Sequence, residues 1–159
     1  VPLFVRSQHH RHRTWSYNEI SRRYVGDKGV KIQFYEPKLF RTQHKSNRQS
    51  SNVDEKINPK YAWDGETYSE ALRSFHLKSL SFYQSMLDAG ICREQARGVL
   101  PQNMYTEYYA TTNLNNLIKF IDLRTHDGAQ LEIQVLAKAF LEIAKDRWPV
   151  AVGNYRPQD

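Results

Sequence analysis

The chain is 159 residues long, with 23 Lys and Arg against 17 Asp and Glu, a formal net charge of +6 and a pI near 9.4. That balance favours anionic partners, and nucleotides, folates and nucleic acids all qualify. The single cysteine, Cys92, excludes an internal disulfide or a multi-cysteine metal site and favours a reducing compartment, cytoplasm by default, while the sequence offers neither a bilayer-length apolar run nor a signal-peptide layout.

The chain opens at Val1 directly inside Val-Pro-Leu-Phe-Val, which reads as the middle of a fold, so the expectation is that an N-terminal segment is absent. Pro2 suits the first turn of a helix, and Leu3, Phe4 and Val5 form a short element, helix or strand, that delivers a basic stretch. Val30 to Tyr35 alternates apolar and polar residues and stops before Pro37, the pattern of a half-buried strand. Residues 38–62, most plainly Arg41 to Pro59, turn polar and predict a long loop, either an active-site lid or disordered. Glu66 to Ala89 predicts a long amphipathic helix, because Leu72, Phe75, His76, Leu80, Tyr83, Met86 and Leu87 recur at spacings of three and four and Gly90 is placed to end it. That stripe reads as core rather than a cofactor box, with His76 a satisfied structural histidine.

Arg93 to Val99 predicts a short helix stopped by Pro101, and Tyr105 to Thr111 a strand rich in Tyr and Thr. Asn113 to Leu123 returns to helical period through Leu114, Leu117, Ile118 and Ile121. Asp127 with Gln130 suits a helix start, and Ile133, Leu136, Ala137, Phe140 and Ile143 carry the buried face on until Pro149. The expectation is an α+β fold, a mixed sheet packed by long amphipathic helices, in a single domain covering 1–159.

Between Arg11 and Tyr24 lie four arginines, a histidine and one carboxylate. Arginine holds phosphate through two parallel hydrogen bonds, so arginines interleaved with Ser, Asn and Glu suit a phosphorylated ligand that carries other polar groups. The plain alternative is a solvated basic face. The spacing favours the first reading: Arg11-His12-Arg13, then Ser16, Asn18, Glu19, Ser21, Arg23 and Tyr24 resemble the signature of the flavin-dependent thymidylate synthases.

Further along, Asn113 to Arg124, with Ala129-Gln130 and Glu132-Ile133, looks like the second half of the same family, and Glu94 to Pro101 resembles another of its motifs. Parts of 41–59, among them Arg41, Gln43, Lys45, Asn47, Arg48, Gln49 and Ser51, resemble a segment of some members. Arg124 continues the helical series of Leu114, Leu117 and Ile121, so it needs a partner such as Asp122, Glu132 or free helix-end carbonyls.

What the resemblance implies is conversion of dUMP to dTMP, with methylenetetrahydrofolate as carbon donor and FAD reduced by NADPH, in a homotetramer whose sites are shared between subunits. It implies that Arg124 is catalytic and contacts the uracil ring, and that Gln8, Arg11, Glu19, Ser21, Arg23 and Arg97 bind the nucleotide. It further implies that Arg11, His12, Arg13, Glu19 and Asn113 bear on the flavin. Asn115 and Lys119 depart from the family pattern. His9, His10 and Arg22 fall where family identity varies, leaving only their backbones to carry a role. A metal at His9, His10 and His12 is disfavoured because adjacent positions converge poorly on one ion. Cys92 lacks the setting of a nucleophilic thiolate apart from nearby Arg93. Two rival readings are a nucleic-acid-binding module using 3 Trp, 10 Tyr and 7 Phe for stacking, and a truncated, inactive family member.

Overall fold

The computed structural model describes residues 1–21, 31–48, 50–61 and 65–157. The order is α1 (Leu3–His9), β1 (Ser16–Glu19), β2 (Phe40–Gln43), β3 (Ser51–Ile57), α2 (Tyr68–Asp88), α3 (Arg93–Ala96), a 3₁₀ turn at Arg97–Val99, β4 (Tyr108–Thr111), α4 (Leu114–Thr125), α5 (Leu131–Arg147) and α6 (Pro149–Val152). The fold is α+β, and its described strands form two separate antiparallel pairs, β1 with β4 and β2 with β3.

Pro2 stands at the N-cap of α1, where its carbonyl accepts from the backbone of Val5 and Arg6. Antiparallel pairing of β1 with β4 sets Ser16 opposite Thr111 and Glu19 opposite Tyr108, bringing residues some ninety positions apart to one ribbon. Thr67 and Glu70 form a reciprocal capping box that starts α2, and Gly90, at φ +82, takes the left-handed conformation that ends it. Asn113 caps α4 by accepting from Asn116 N at 2.9 Å.

Among the described residues two apolar clusters result. Val5, Trp15, Phe120, Ile121, Ile133, Ala137, Leu141, Ala144 and Val152 form the larger. Ile32, Tyr83, Ala96 and Met104 form the smaller, with Leu3 packed against it. α1 therefore contributes to both, and the residues it carries onward are held from two sides.

Several elements depart from the sequence reading. The polar stretch 41–59 holds the β2–β3 hairpin, fixed by ladder bonds that its few apolar residues do not signal. The strand expected at Val30–Tyr35 reduces, in its described part, to a single bridge between Phe34 and Met104, and Val30 lies outside the described residues. Of Tyr105–Thr111 only the last four residues are strand, because Tyr105 pairs instead with Pro2 and Gln33. Gln130, rather than Asp127, precedes α5 as its N-cap. Phe75 and Ile143 lie more than half exposed, whereas Ser79, Leu141 and Ala144 occupy the buried lines. Pro149 begins α6 as well as following α5. His76 is buried as expected, its Nδ1 3.0 Å from Glu36 Oε1 and its ring stacked on Phe34, but it is only half satisfied, because its buried Nε2 has no hydrogen-bond partner among the described residues.

Candidate functional site

At 3.6 residues per turn, Arg6 and Gln8 project about 160° apart around α1, and the two side chains enter different surroundings. On the first face, Leu3 and Arg6 line a cavity of about 450 Å³ with Glu19, Ile20, Ser21, Arg97, Gly98, Leu100, Gln102, Met104 and Thr106. Glu19 arrives at the end of β1, Thr106 just before β4, and Arg97 on the 3₁₀ turn behind α3. Arg6 Nε lies 3.2 Å from Glu19 Oε1, and the Thr106 hydroxyl donates to the same oxygen at 2.8 Å. Apolar walls from Leu3, Leu100 and Met104 set these charges against low-dielectric surroundings, which strengthens their interaction with an anion.

On the second face, the Gln8 amide donates to the Gln130 side-chain oxygen. Past the helix end, Arg124 Nε donates to His12 Nε2 at 3.0 Å, and its Nη2 reaches the Gln8 carbonyl at 3.4 Å. A guanidinium has donors only, so His12 must accept at Nε2 and carry its proton at Nδ1. Burial, then the Arg124 charge, holds His12 below the ordinary histidine value. Burial, then neighbouring Arg11, lowers Arg124 as well. Arg124 thus meets a neutral imidazole and a carbonyl, while Glu132 is bound by Arg41 and Tyr35 and Asp122 accepts from the Tyr155 hydroxyl.

The turn between the two faces rests on His9, whose role the sequence reading missed. His9 is completely buried, with Nδ1 2.8 Å from Tyr108 Oη and its ring against Trp15, Tyr17, Phe120 and Phe140. Burial first, then His12, His10 and Arg124, lowers its pKa to about 3, so it is neutral. Tyr17 Oη donates to the carbonyls of His9 at 2.7 Å and His12 at 3.1 Å, clamping the backbone that leads into Arg11-His12-Arg13. Burial pushes Tyr17 up to about 12, and burial with nearby Tyr17 and Glu19 does the same for Tyr108. Both remain hydrogen-bond donors at any working pH. Position 9 follows Val5 by four residues, a spacing that could have marked it as inward-facing.

Of the residues expected to bind the nucleotide, Glu19, Ser21 and Arg97 meet in the cavity, while Gln8, Arg11 and Arg124 lie on the other side of α1. Arg23 and Arg22 lie outside the described residues. Arg11 and Arg13 are exposed, as are Asn115 and Lys119 along α4. Asn113 Oδ1 is engaged as the helix cap, which leaves its amide nitrogen for other contacts. Arg6, Thr106 and Gln102 line the cavity without having been singled out from sequence. Among the described residues no cluster of His, Cys, Asp and Glu could hold a metal ion, and no helix is long and apolar enough to cross a membrane.

The family described as thymidylate synthase complementing protein matches residues 1–150, which include every described residue of both faces. The chain belongs to that family. It is 44% identical over 142 residues to a flavin-dependent thymidylate synthase of Aquifex aeolicus, covering 89% of this chain and 42% of that protein. It is 43% identical over 151 residues to a flavin-dependent thymidylate synthase of Thermus thermophilus, covering 95% of this chain and 52% of that protein. The chain therefore spans about half the length of these relatives. Among solved structures, a UMP/dUMP methylase, PolB, from Streptomyces cacaoi, bound with 5-Br UMP, superposes with a TM-score of 0.73 at 31% identity, over 91% of this chain and 66% of the other.

Proposed function

We propose that this chain forms part of a flavin-dependent thymidylate synthase that methylates dUMP to dTMP. The observation that carries the reading is the cavity beside α1, where Glu19, Ser21 and Arg97, three residues of the nucleotide-binding set drawn from distant parts of the sequence, come together. In this reading Ser21 and Arg97, joined by Arg23, hold the phosphate, and Glu19 orients the sugar. Gln8, Arg11 and Arg124 address the uracil ring from the other face of α1. Arg124 supplies a fixed cation that stabilises negative charge as the ring is activated, and its hydrogen bonds to His12 and the Gln8 carbonyl hold that cation in place.

The residues present fit FAD. Exposed Arg11 and Arg13 offer guanidinium donors to a pyrophosphate, neutral His12 offers a planar face, and the Asn113 amide nitrogen is not needed by the helix cap. Glu19 completes the flavin set. The chemistry a bound FAD supplies is reducing equivalents, drawn from NADPH, while methylenetetrahydrofolate supplies the carbon. Assembly as a homotetramer would let the cavity of one copy work with the Arg11 and Arg124 face of another, which accounts for their separation within one chain. The exposed Phe75 and Phe82, seven residues apart on α2, give such an assembly apolar surface.

Absorbance spectroscopy tests the reading: a bound-flavin band that appears on adding FAD and shifts on adding dUMP is the expected result, followed by tritium release from 5-tritiated dUMP. A chain that retains no flavin in a solution where it is folded overturns the flavin assignment. Light scattering tests the assembly, and a stable monomer overturns it.

A further inference from the structure

Arg6 stands in the cavity without a role in any of the motifs considered above. Its contact with Glu19 is a charge contact only: Nε is buried and 3.2 Å from the carboxylate, yet makes no hydrogen bond, while the Thr106 hydroxyl already donates to the same Glu19 oxygen. A guanidinium placed to serve one carboxylate forms two parallel, well-aligned bonds. Arg6 does not, so its present contact leaves donor capacity facing the cavity.

The surroundings say what would take it up. Arg6 and Arg97 line the same cavity with Ser21, Thr106 and Gln102, and among its described lining residues Glu19 is the one carboxylate. Two guanidiniums, the Ser21 hydroxyl and an amide against one carboxylate favour an anionic ligand with several acceptor oxygens, as a phosphate has. We infer that Arg6 is a phosphate-binding residue that determines selectivity for a phosphate monoester: on nucleotide binding it exchanges its contact with Glu19 for the phosphate oxygens and frees Glu19 to accept from a sugar hydroxyl. The inference deepens the reading of this cavity as a nucleotide site and rests on it. It adds a cation from α1 to the one on the 3₁₀ turn. The Arg6 charge, after burial, also helps to lower the pKa of His10 one turn further on.

The test uses the chain as it stands, with dUMP, deoxyuridine and inorganic phosphate as probes in calorimetric titrations. Arg6→Gln should weaken dUMP and phosphate binding by about 10- to 100-fold, the worth of hydrogen bonds to a charged group, and leave deoxyuridine unchanged; Arg6→Lys should recover part of the loss. Equal losses for dUMP and deoxyuridine, or none, overturn the inference. Protection of Arg6 in the unmutated chain from arginine-specific dicarbonyl modification, read by mass spectrometry, decides the matter if both variants misfold. Phosphate and dUMP should protect and deoxyuridine should not, and modification that no phosphate compound slows overturns the inference. Arg6-dependent phosphate binding in a chain that retains no flavin would sink the synthase reading while keeping this one, whereas failure to bind either phosphate compound sinks the inference.

Discussion

The two faces of α1 differ in how far their polar groups are already satisfied. In the cavity, Arg6 touches Glu19 without a hydrogen bond, and Arg97 stands exposed at the rim. On the other face Gln8 is bonded to Gln130, and Arg124 to His12 and a carbonyl. The first arrangement is suited to capturing an anion, because the Arg6 contact with Glu19 can be exchanged for ligand bonds without breaking a hydrogen bond. The second is suited to holding one cation in a set geometry, because a preorganised charge costs no reorganisation when charge develops on a substrate. One short helix separates the two arrangements.

The sharpest way to break this comparison is Arg124→Ala. If Arg124 acts on the ring, tritium release from dUMP falls by about 10²- to 10³-fold, with the urea midpoint little changed and dUMP binding largely kept. An unaltered rate would remove the second face from the chemistry. Next in size is His9→Ala. Losing a buried ring and its bond to Tyr108 should cost about 3 kcal/mol of stability, measured by urea unfolding, and should loosen both faces together because His9 anchors the turn between them.

The pH dependence follows from the same residue. His9 is lowered from 6.5 to about 3, so below pH 6.5 the unfolded chain binds the proton that the folded chain refuses. Stability from this group is fully present above pH 6.5 and falls as the pH drops towards about 3, with a limiting slope of about 1.4 kcal/mol per pH unit. His12, lowered in the same direction, adds to the loss. Urea midpoints measured from pH 7 to pH 5 should decline, and His9→Phe should flatten the decline; a flat profile in the unmutated chain would contradict the burial of a neutral His9.

Arg41→Ala probes whether the β2–β3 hairpin matters to either face. Arg41 Nη2 reaches both carboxylate oxygens of Glu132 at 2.9 and 3.0 Å, and Tyr35 Oη donates to the same carboxylate at 2.9 Å. Burial alone would raise Glu132, but hydrogen bonds from its backbone, Arg41 and Tyr35 hold it below the usual carboxylate value. Loss of about 1 kcal/mol is expected, with faster proteolysis inside the hairpin and unchanged dUMP binding. Weaker dUMP binding would tie the hairpin to the nucleotide. The smallest effect should come from Cys92→Ser. The thiol is exposed, so stability should stay within about 0.5 kcal/mol and tritium release should persist; abolished release would point to thiolate chemistry instead.

Helices α2, α4 and α5 were legible because apolar residues at spacings of three and four report burial directly. The Arg-His-Arg motif was legible because side chains contributed by one short segment keep their order wherever the segment goes. The β2–β3 hairpin was not, since its strands carry few apolar residues and are held by backbone pairing and by side-chain hydrogen bonds such as Arg41 to Ser51 and Asn52 to Thr42. Nor was Arg6, whose importance depends on Arg97 and Thr106, about ninety and one hundred positions away. The missed inward turn of His9 shows the same limit: a histidine among histidines looks like solvent chemistry until Trp15, Phe120 and Phe140 close around it.

The family, the α+β character and the supply of side chains suited to anion chemistry can be read along the chain, because composition, period and motif spacing are local properties. How those side chains are shared between two surroundings depends on long-range packing. Pairing of β1 with β4 brings Glu19 to Thr106, packing of α4 sets Arg124 against His12, and the 160° between Arg6 and Gln8, about that by helix geometry, sends them apart. These are contacts between distant segments, and no local pattern encodes where a chain will meet itself.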